Sequence, residues 1–516
     1  MNNDSNVRMI VAVVLSLMFL IPYMYFFSPQ KSNLDTTNSI TTKDLKSTNE
    51  APKTNQNNPV NQTNTMDNKI IATIQSSEFD VNIDDLGRID SVYLKGEKWK
   101  NENGEPLNLI NKDGAKPLEI RFSNNEINNK AFNTQYRANK RIINVDSNDK
   151  LVLTQDLGDV VVEKILIFEK NLQYSLEINM NKTMDYFLSN GVRPVVDNSS
   201  YVFKGVIVKK SDNKLEKIED GAKAANLSFN EAKFVSSVDR YYATLLTSND
   251  PLNVIINDEN KNTTPFISLN NNAKLLGYIG PKDHRILKSI SPELVDTIEY
   301  GIITFFAKPL FLLLDYLNTI FKNWGWAIIG LTLIVRIVLY PLTYKGMVSM
   351  QKLKELAPKL KEIQTKYKGD TLKLQTHMMD LYKKHKVNPM GGCLPLILQI
   401  PVFFAIYRVL YNAVELKDAP WIFWIKDLSA LDPYFILPIL MGGSMYLQQH
   451  LTPTTFSDPT QEKIFKFLPL VFTIFLITFP SGLILYWTVN NIFSIIQQLI
   501  INKVMETKKL IQTKDS

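Results

Sequence analysis

Five long apolar stretches in the second half of the chain constrain its fold more than any other feature. They cover residues 324–344, 393–414, 434–451, 467–479 and 483–501. A helix needs about 20 mostly apolar residues to cross the hydrocarbon core of a bilayer, and most of these stretches meet or approach that length. The sequence therefore predicts a bundle of five membrane-spanning helices in this half.

One arginine, Arg336, lies in the middle of the first stretch, and none of the other four stretches contains Asp or Glu. A charge at the centre of a spanning helix costs about 2.5–3.5 kcal/mol and usually marks a functional path. One alternative is an arginine that snorkels to the nearer interface. Helical side chains lean toward the helix N-terminus, however, and in a helix that runs inward this lean carries Arg336 deeper. We therefore predict a water-filled groove around Arg336.

The distribution of lysines predicts the orientation in the membrane. Residues 345–386 contain eleven Lys and four acids, whereas residues 415–433 contain two Lys and four acids. Lysine-rich short loops face the cytoplasm. With the apolar run in residues 1–27 as a further anchor, both termini are predicted in the cytoplasm and residues 28–323 in the periplasm. A cleaved signal peptide is the alternative for this run, but its end, YMYFFSPQK, lacks a small-residue cleavage site.

The first half of the chain has a different pattern. Residues 28–69 are polar and predict a disordered tether. Residues 70–292 alternate apolar and polar side chains over short runs, which predicts a periplasmic antiparallel β-sandwich. Residues 293–323 are amphipathic and predict a helix in the outer interface. A membrane span is the alternative there, although Lys308, Pro309 and Asp315 interrupt the apolar run.

The basic loop, residues 345–389, predicts a cytoplasmic hairpin of two helices separated at Gly369-Asp370. Two interpretations of its lysines are open: a solvated anchor of topology, or a docking surface for anionic lipid headgroups or partners. The candidate residues for the second interpretation are Lys352, Lys354, Lys359, Lys361, Lys383 and Lys384. Residues 504–516 follow the bundle as a short cytoplasmic tail.

Polar residues inside the spans recur at helical spacing. Thr332, Arg336 and Tyr340 lie four residues apart in the first span, and Gln399 is the only amide in the body of the second. The last span adds a second stripe, whose members are Trp487, Asn490 or Asn491, Ser494 and Gln498. Ordinary hydrogen bonds between helices are the alternative.

A short span supports the groove interpretation. Residues 467–479 form only about 20 Å of helix against a hydrocarbon core of about 30 Å, and a short span locally thins the bilayer. A hydrophilic groove beside a thinned bilayer predicts a protein that helps polar segments enter lipid.

The residue types that carry most enzyme chemistry are sparse. The four histidines, at positions 284, 377, 385 and 450, form no metal-ligand pattern, and the single Cys393 excludes an intramolecular disulfide. No enzyme activity, cofactor or metal is predicted. A transporter or channel is the main alternative function, but two related halves are not visible.

Four motifs carry a resemblance to a known family. NPMGGCLP at 388–395, DLSALDPYFILPILMGG at 427–443, TPTTFSDP at 452–459 and FPSGLILYW at 479–487 resemble the YidC/Oxa/Alb family of membrane protein insertases. The resemblance extends from residue 324 to residue 503. The whole layout of six transmembrane helices, with a large periplasmic domain after the first, is similar to the Gram-negative form.

The resemblance implies a protein that takes nascent membrane proteins into a hydrophilic groove and releases them laterally into the bilayer. It implies a groove open to the cytoplasm and to lipid, with Arg336 as its charge and Thr332 and Trp487 facing it. It also implies that the hairpin at 347–386 is the cytoplasmic element that receives substrate. The implied partners are nascent membrane proteins, the Sec translocon, anionic lipids, the ribosome and the signal recognition particle pathway, with no small-molecule substrate. The tail is short, which argues against strong ribosome binding. The family's sandwich also resembles carbohydrate-active folds, so a sugar-acting domain is a third alternative.

Overall fold

A computed structural model describes residues 69–100, 104–147, 149–194, 202–221, 227–259, 262–385, 387, 394–451 and 459–514. The predicted anchor at 1–27, almost all of the tether at 28–69, Cys393, and parts of the 388–395 and 452–459 motifs lie outside the described residues. The chain divides into two compact units, Met1–Glu299 and Tyr300–Ser516. They are called the β-rich unit and the helical unit below.

The β-rich unit contains sixteen strands among its described residues. These are β1 (Ile70–Gln75), β2 (Phe79–Asp84), β3 (Ile89–Leu94), β4 (Ile120–Phe122), β5 (Arg137–Ala138), β6 (Ile142–Asn144), β7 (Leu151–Asp156), β8 (Val161–Phe168), β9 (Gln173–Met180), β10 (Tyr186–Ser189), β11 (Gly205–Lys210), β12 (Leu215–Glu219), β13 (Leu227–Val238), β14 (Tyr242–Glu259), β15 (Asn262–Leu269) and β16 (Ala273–Pro281).

The strands form two sheets, as a sandwich-like fold requires. Four strands follow the order β3-β2-β1-β6, and the other twelve form one large sheet with the path β12-β11-β13-β14-β16-β9-β8-β7-β5. Strands β8 and β9 pair antiparallel across a polar turn at Lys170-Asn171, with Val162 opposite Met180. Along both strands buried and partly buried side chains alternate, because successive side chains of a strand point to opposite faces.

Two short helices complete the β-rich unit, α1 (Asn125–Asn133) and α2 (His284–Ile290). Asp283 caps α2, since its carboxylate accepts hydrogen bonds from the backbone of Arg285 and Ile286. A 3₁₀ turn, Pro292–Thr297, follows and packs Leu294 into the interior.

The helical unit contains seven α-helices among its described residues. They are α3 (Thr304–Phe321), α4 (Trp324–Lys366), α5 (Thr371–Lys384), α6 (Leu394–Asn412), α7 (Ile436–Leu451), α8 (Pro459–Leu476) and α9 (Ser481–Lys514).

The amphipathic segment is shorter than the predicted range, 293–323. Helix α3 begins at Thr304 because Gly301, with φ +74°, interrupts the chain just before it. One face of α3 buries Ala307, Phe311, Leu314 and Leu317. The opposite face leaves Phe305 80% exposed, so apolar side chains lie on both faces of α3, and its position in the outer interface stays a prediction.

Helix α4 does not end where the predicted span ends. It continues through residue 344 to Lys366, so that one helix of 43 residues contains both the first span and the first arm of the predicted hairpin. The apolar period continues through Leu353, Leu356 and Leu360, and these side chains pack against Met378 and Leu381 of α5. The hairpin turn lies where the sequence predicts it, since Gly369 adopts φ +103° and Asp370 caps α5.

Within the described part of the chain, two helices are long and apolar enough to cross a membrane. They are Trp324–Lys366 and Ser481–Thr507, and a shorter apolar helix covers Lys466–Leu476. The count of six spans remains a prediction.

Helix α9 packs against both α4 and α7. At the end of the bundle where α9 begins, the Ser481 backbone N–H donates to the Ala430 carbonyl at 2.7 Å, and Gly482 donates to Leu428 at 2.8 Å. Helices α7 and α8 approach closely at Gly442, where an added β-carbon would overlap the Thr473 hydroxyl. These contacts fix the register of α9, which carries most of the polar side chains of the site.

Candidate functional site

The site is centred on Arg336, on the buried side of α4. Its side chain is part of a stripe that includes Leu331 and Thr332 one turn earlier and Thr343 two turns later. Arg336 is 8% exposed. Its Nε donates to the Asn490 side-chain oxygen at 2.8 Å, and its Nη2 donates to the Asn490 backbone carbonyl at 3.0 Å. One residue of α9 therefore holds the guanidinium by two hydrogen bonds.

Further neutral polar groups extend this cluster. The Gln399 amide nitrogen donates to the Tyr486 hydroxyl at 3.0 Å and lies 3.5 Å from the Asn490 side-chain oxygen. The Ser494 hydroxyl donates to the same Asn490 carbonyl that accepts from Arg336. We call Arg336, Gln399, Tyr486, Asn490 and Ser494 the arginine cluster.

The arginine cluster contains no acidic side chain. Among the residues described, no carboxylate forms a salt bridge with Arg336, and its bonded partners are an amide and a peptide carbonyl. A positive charge is thus held by dipoles alone, in a setting where a bare charge is costly. A group that brings a negative charge would gain more here than in water, since the effective dielectric is lower.

The structure does not bring every predicted groove residue into this cluster. The Thr332 hydroxyl donates to the Ile328 carbonyl of its own helix at 2.7 Å. Trp487 packs against Phe403, with ring centroids 4.6 Å apart. Tyr340 is 40% exposed and contacts Tyr344. Positions four apart drift by about 40° around a helix of 3.6 residues per turn, so the buried stripe passes through Thr343 instead of Tyr340.

Sequence reasoning missed Tyr486, which is 1% exposed and bonded to Gln399. The available signal was the spacing of Tyr486, Asn490 and Ser494, which lie four apart and share one face of α9. The neighbouring amide faces elsewhere, because Asn491 donates to the Ser444 hydroxyl on α7. The choice between Asn490 and Asn491, which the sequence left open, is decided in favour of Asn490 as the partner of Arg336.

The predicted lysines of the hairpin all point away from its apolar core. Lys352, Lys354, Lys359, Lys361, Lys383 and Lys384 are exposed. The opposite face packs Leu353, Leu356 and Leu360. The hairpin therefore presents a basic surface, as either interpretation of these residues requires.

The β-rich unit also buries charges, and several of them are paired with carboxylates. Arg88 bonds Asp84 at 2.8 Å and Glu119 at 3.0 Å, while Arg121 bonds Glu119 at 2.8 Å. Lys116 bonds Asp90 at 2.5 Å. Fixed pairs of this kind stabilise a fold and offer no unpaired charge to a ligand.

Lys164 lies beside this group and is fully buried. Its ammonium nitrogen donates to the carbonyls of Gly87 at 2.9 Å and Leu118 at 2.8 Å, and it lies 4.5 Å from the Tyr136 ring centroid. Burial lowers the pKa of Lys164 to about 7, although Asp84 and Glu119 act in the opposite direction. Among the described residues, no group of three or more His, Cys, Asp or Glu side chains has a geometry that suits a metal ion.

Comparisons with known proteins agree with this division into two units. Residues 71–313 match the family model described as the YidC periplasmic domain, and residues 316–509 match the model described as the 60Kd inner membrane protein. The two matches define an inner-membrane protein of the class that carries a periplasmic domain.

Curated relatives match over nearly the whole chain. A membrane protein insertase YidC of Helicobacter pylori is 54% identical and covers 98% of both chains. Another, of Campylobacter jejuni subsp. jejuni, is 49% identical and also covers 98% of both. A crystal structure of an active YidC insertase aligns with 84% of this chain and 94% of its own, at 20% identity and a TM-score of 0.38. The chain belongs to the YidC family of membrane protein insertases.

Proposed function

We propose that this protein inserts nascent membrane proteins into the bacterial inner membrane, and that the arginine cluster lies in the groove that receives them. The observation that carries the proposal is the buried Arg336, whose bonded partners among the described residues are neutral. Two of the curated relatives described above are named as insertases, and this supports the same function here.

The charge of Arg336 provides a physical role for the groove. A client that must send a polar or acidic segment across the membrane has to move it through a medium of low dielectric. A fixed positive charge at that depth lowers the cost for a carboxylate. The attraction need not be strong, because the client must also leave for the lipid.

The lysine distribution supports a topology in which the α4–α5 hairpin and both termini lie in the cytoplasm and residues 28–323 lie in the periplasm. The exposed lysines of the hairpin support contacts there with anionic lipids and nascent chains. The Sec translocon is the proposed partner in the membrane, and the ribosome and the signal recognition particle pathway are further proposed partners. A cysteine in place of Lys361 should react with an impermeant reagent only after lysis, and one in place of Lys426 should react in intact cells.

Client insertion tests the role of Arg336. Protease protection of client tails is measured in cells depleted of their native insertase and supplied with the parent protein, Arg336→Ala or Arg336→Lys. If the charge matters, Arg336→Lys inserts a client with an acidic translocated segment, whereas Arg336→Ala fails with it. A client with an uncharged segment depends less on Arg336.

Val338→Ala is the matched control, because Val338 lies two residues away on the same helix and is 70% exposed. It should insert both clients like the parent. Equal insertion of the acidic client by Arg336→Ala and by the parent would show that the buried charge is dispensable.

A further inference from the structure

Asn490 is the nearest partner of Arg336, and the chemistry of its side chain decides what charge the groove presents. Its side-chain oxygen accepts from Arg336 Nε, and its backbone carbonyl accepts from Nη2. An amide oxygen satisfies the hydrogen-bonding capacity of the guanidinium without cancelling its charge. An aspartate at the same position, with the same heavy-atom shape, would accept the same bonds and neutralise the site.

The rest of the cluster holds the Asn490 amide in this orientation. Its side-chain oxygen also lies 3.5 Å from the Gln399 amide nitrogen, which is anchored by its bond to the buried Tyr486 hydroxyl. Because two donors face one oxygen of Asn490, the amide is oriented with its oxygen toward Arg336 and its own nitrogen away. The Asn490 carbonyl is shared with the Ser494 hydroxyl, which keeps that turn of α9 in place.

Two nitrogens of the guanidinium are occupied by Asn490, and the third is left for another ligand. Among the described residues, Nη1 of Arg336 has no bonded partner. Arg336 is thereby fixed in position and partly satisfied, yet it keeps its full charge and one donor group. An arginine that is bonded only to groups of its own helix could turn its side chain toward the membrane interface.

We propose that Asn490 is a positioning residue that sets the client specificity of the groove, and that its neutral amide keeps Arg336 available to acidic translocated segments. This inference rests on the proposed function of the groove. The residue acts through Arg336, so its effect appears only with clients whose translocated segment carries negative charge.

The test is the ratio of insertion of an acidic client to insertion of a matched client whose acidic residues are replaced by their amides. Using a ratio within each variant cancels differences in the amount or general activity of the protein. Asn490→Asp should lower this ratio at least about tenfold, because a neighbouring carboxylate competes directly with the client for the charge. Asn490→Ala keeps the charge of Arg336 and the backbone carbonyl that accepts from Nη2, and it removes only the hydrogen bonds to the side-chain oxygen. Its ratio should therefore stay within about threefold of the parent.

Asn491→Asp is the matched control, since it adds the same carboxylate one residue away, where the side chain faces Ser444. Its ratio should stay closer to the parent than that of Asn490→Asp. An unchanged ratio in Asn490→Asp, or an equal fall in Asn490→Ala, would overturn the inference.

Parallel measurement of Arg336→Ala separates this inference from the proposed function. If Arg336→Ala lowers the ratio and Asn490→Asp does not, the role of Asn490 is wrong and the role of Arg336 stands. If neither variant lowers the ratio, the charge-based function of the groove is itself wrong.

Discussion

The buried arginines described above are held in opposite ways in the two units of this protein. In the β-rich unit Arg88, Arg121 and Lys116 each bond a carboxylate at 3.0 Å or less. In the helical unit Arg336 is bonded to Asn490 and to no carboxylate among the residues described. The same side-chain chemistry is internally neutralised in one unit and left charged in the other.

A paired buried charge stabilises the fold, whereas a buried charge without an acidic partner can still attract a negatively charged ligand. In a buried ion pair each charge is neutralised by its partner, so removing one partner leaves the other uncompensated. A charge held by dipoles has no such partner to leave behind. Burial alone therefore does not identify a functional residue, and the absence of an acidic partner among the described residues is what makes Arg336 a candidate.

The largest expected effect is in the β-rich unit. Asp84→Asn keeps the shape of the side chain but leaves Arg88 with only Glu119 as a charged partner. Breaking a buried pair in this way costs about 3–5 kcal/mol. The loss in unfolding free energy is measured by urea unfolding of the full-length protein in nanodiscs, with proteolysis of the β-rich unit as the readout.

The second prediction is a smaller pH effect in the same unit. The pKa of Lys164 is about 7 in the folded protein and close to 10.4 in an unfolded chain. Between these values the unfolded state binds more protons, so stability rises with pH. From pH 7 to pH 9 this group should add about 2–3 kcal/mol to the unfolding free energy.

The control for this pH effect is Lys164→Met, which cannot titrate. Lys282 in the same unit also has a pKa lowered by burial, to about 8, and it contributes to both proteins alike. The difference between parent and variant isolates Lys164. A parent curve parallel to that of Lys164→Met over this pH range would contradict the prediction.

The third prediction concerns packing in the helical unit. Gly442→Ala places a methyl group against Thr473 and should cost about 1–2 kcal/mol by overpacking. Gly443→Ala meets nothing within 4 Å and should be neutral or slightly stabilising. Thermal unfolding of both variants in the same detergent compares them, and equal losses would show that α7 and α8 are not in close contact there.

The smallest expected effect completes the comparison. Arg336→Leu should change the thermal stability of the helical unit by less than about 1 kcal/mol, because an apolar residue replaces a charge that has no charged partner. Insertion of acidic clients should nevertheless fall. A loss as large as that of Asp84→Asn would mean that Arg336 is structural and would break the contrast between the units.

Local patterns in the sequence predicted much of this architecture. The pairing of β8 with β9 follows from alternation on both sides of a polar turn, and the hairpin turn follows from Gly369-Asp370. The presence of a polar cluster around Arg336 follows from the absence of acids in the other spans. The strand pairing and the hairpin turn depend on near neighbours in the chain, which is why the sequence alone indicates them.

Features that depend on distant contacts were harder to predict. The partner of Arg336 lies 154 residues away, and only the packing of α4 against α9 selects Asn490 over Asn491. The continuation of α4 to Lys366 depends on the packing of its second half against α5. In the β-rich unit the bonds from Arg88 to Glu119 and from Lys116 to Asp90 join residues 31 and 26 positions apart, and no local spacing indicates them.

The 43 residues of α4 form one rod of about 65 Å. Arg336 and the apolar face of the hairpin, from Leu353 to Leu360, therefore lie on the same helix. The angle between them around the helix axis depends on the number of residues that separate them. One residue inserted near position 348 would rotate the two faces by about 100° relative to each other, with no change to either sequence.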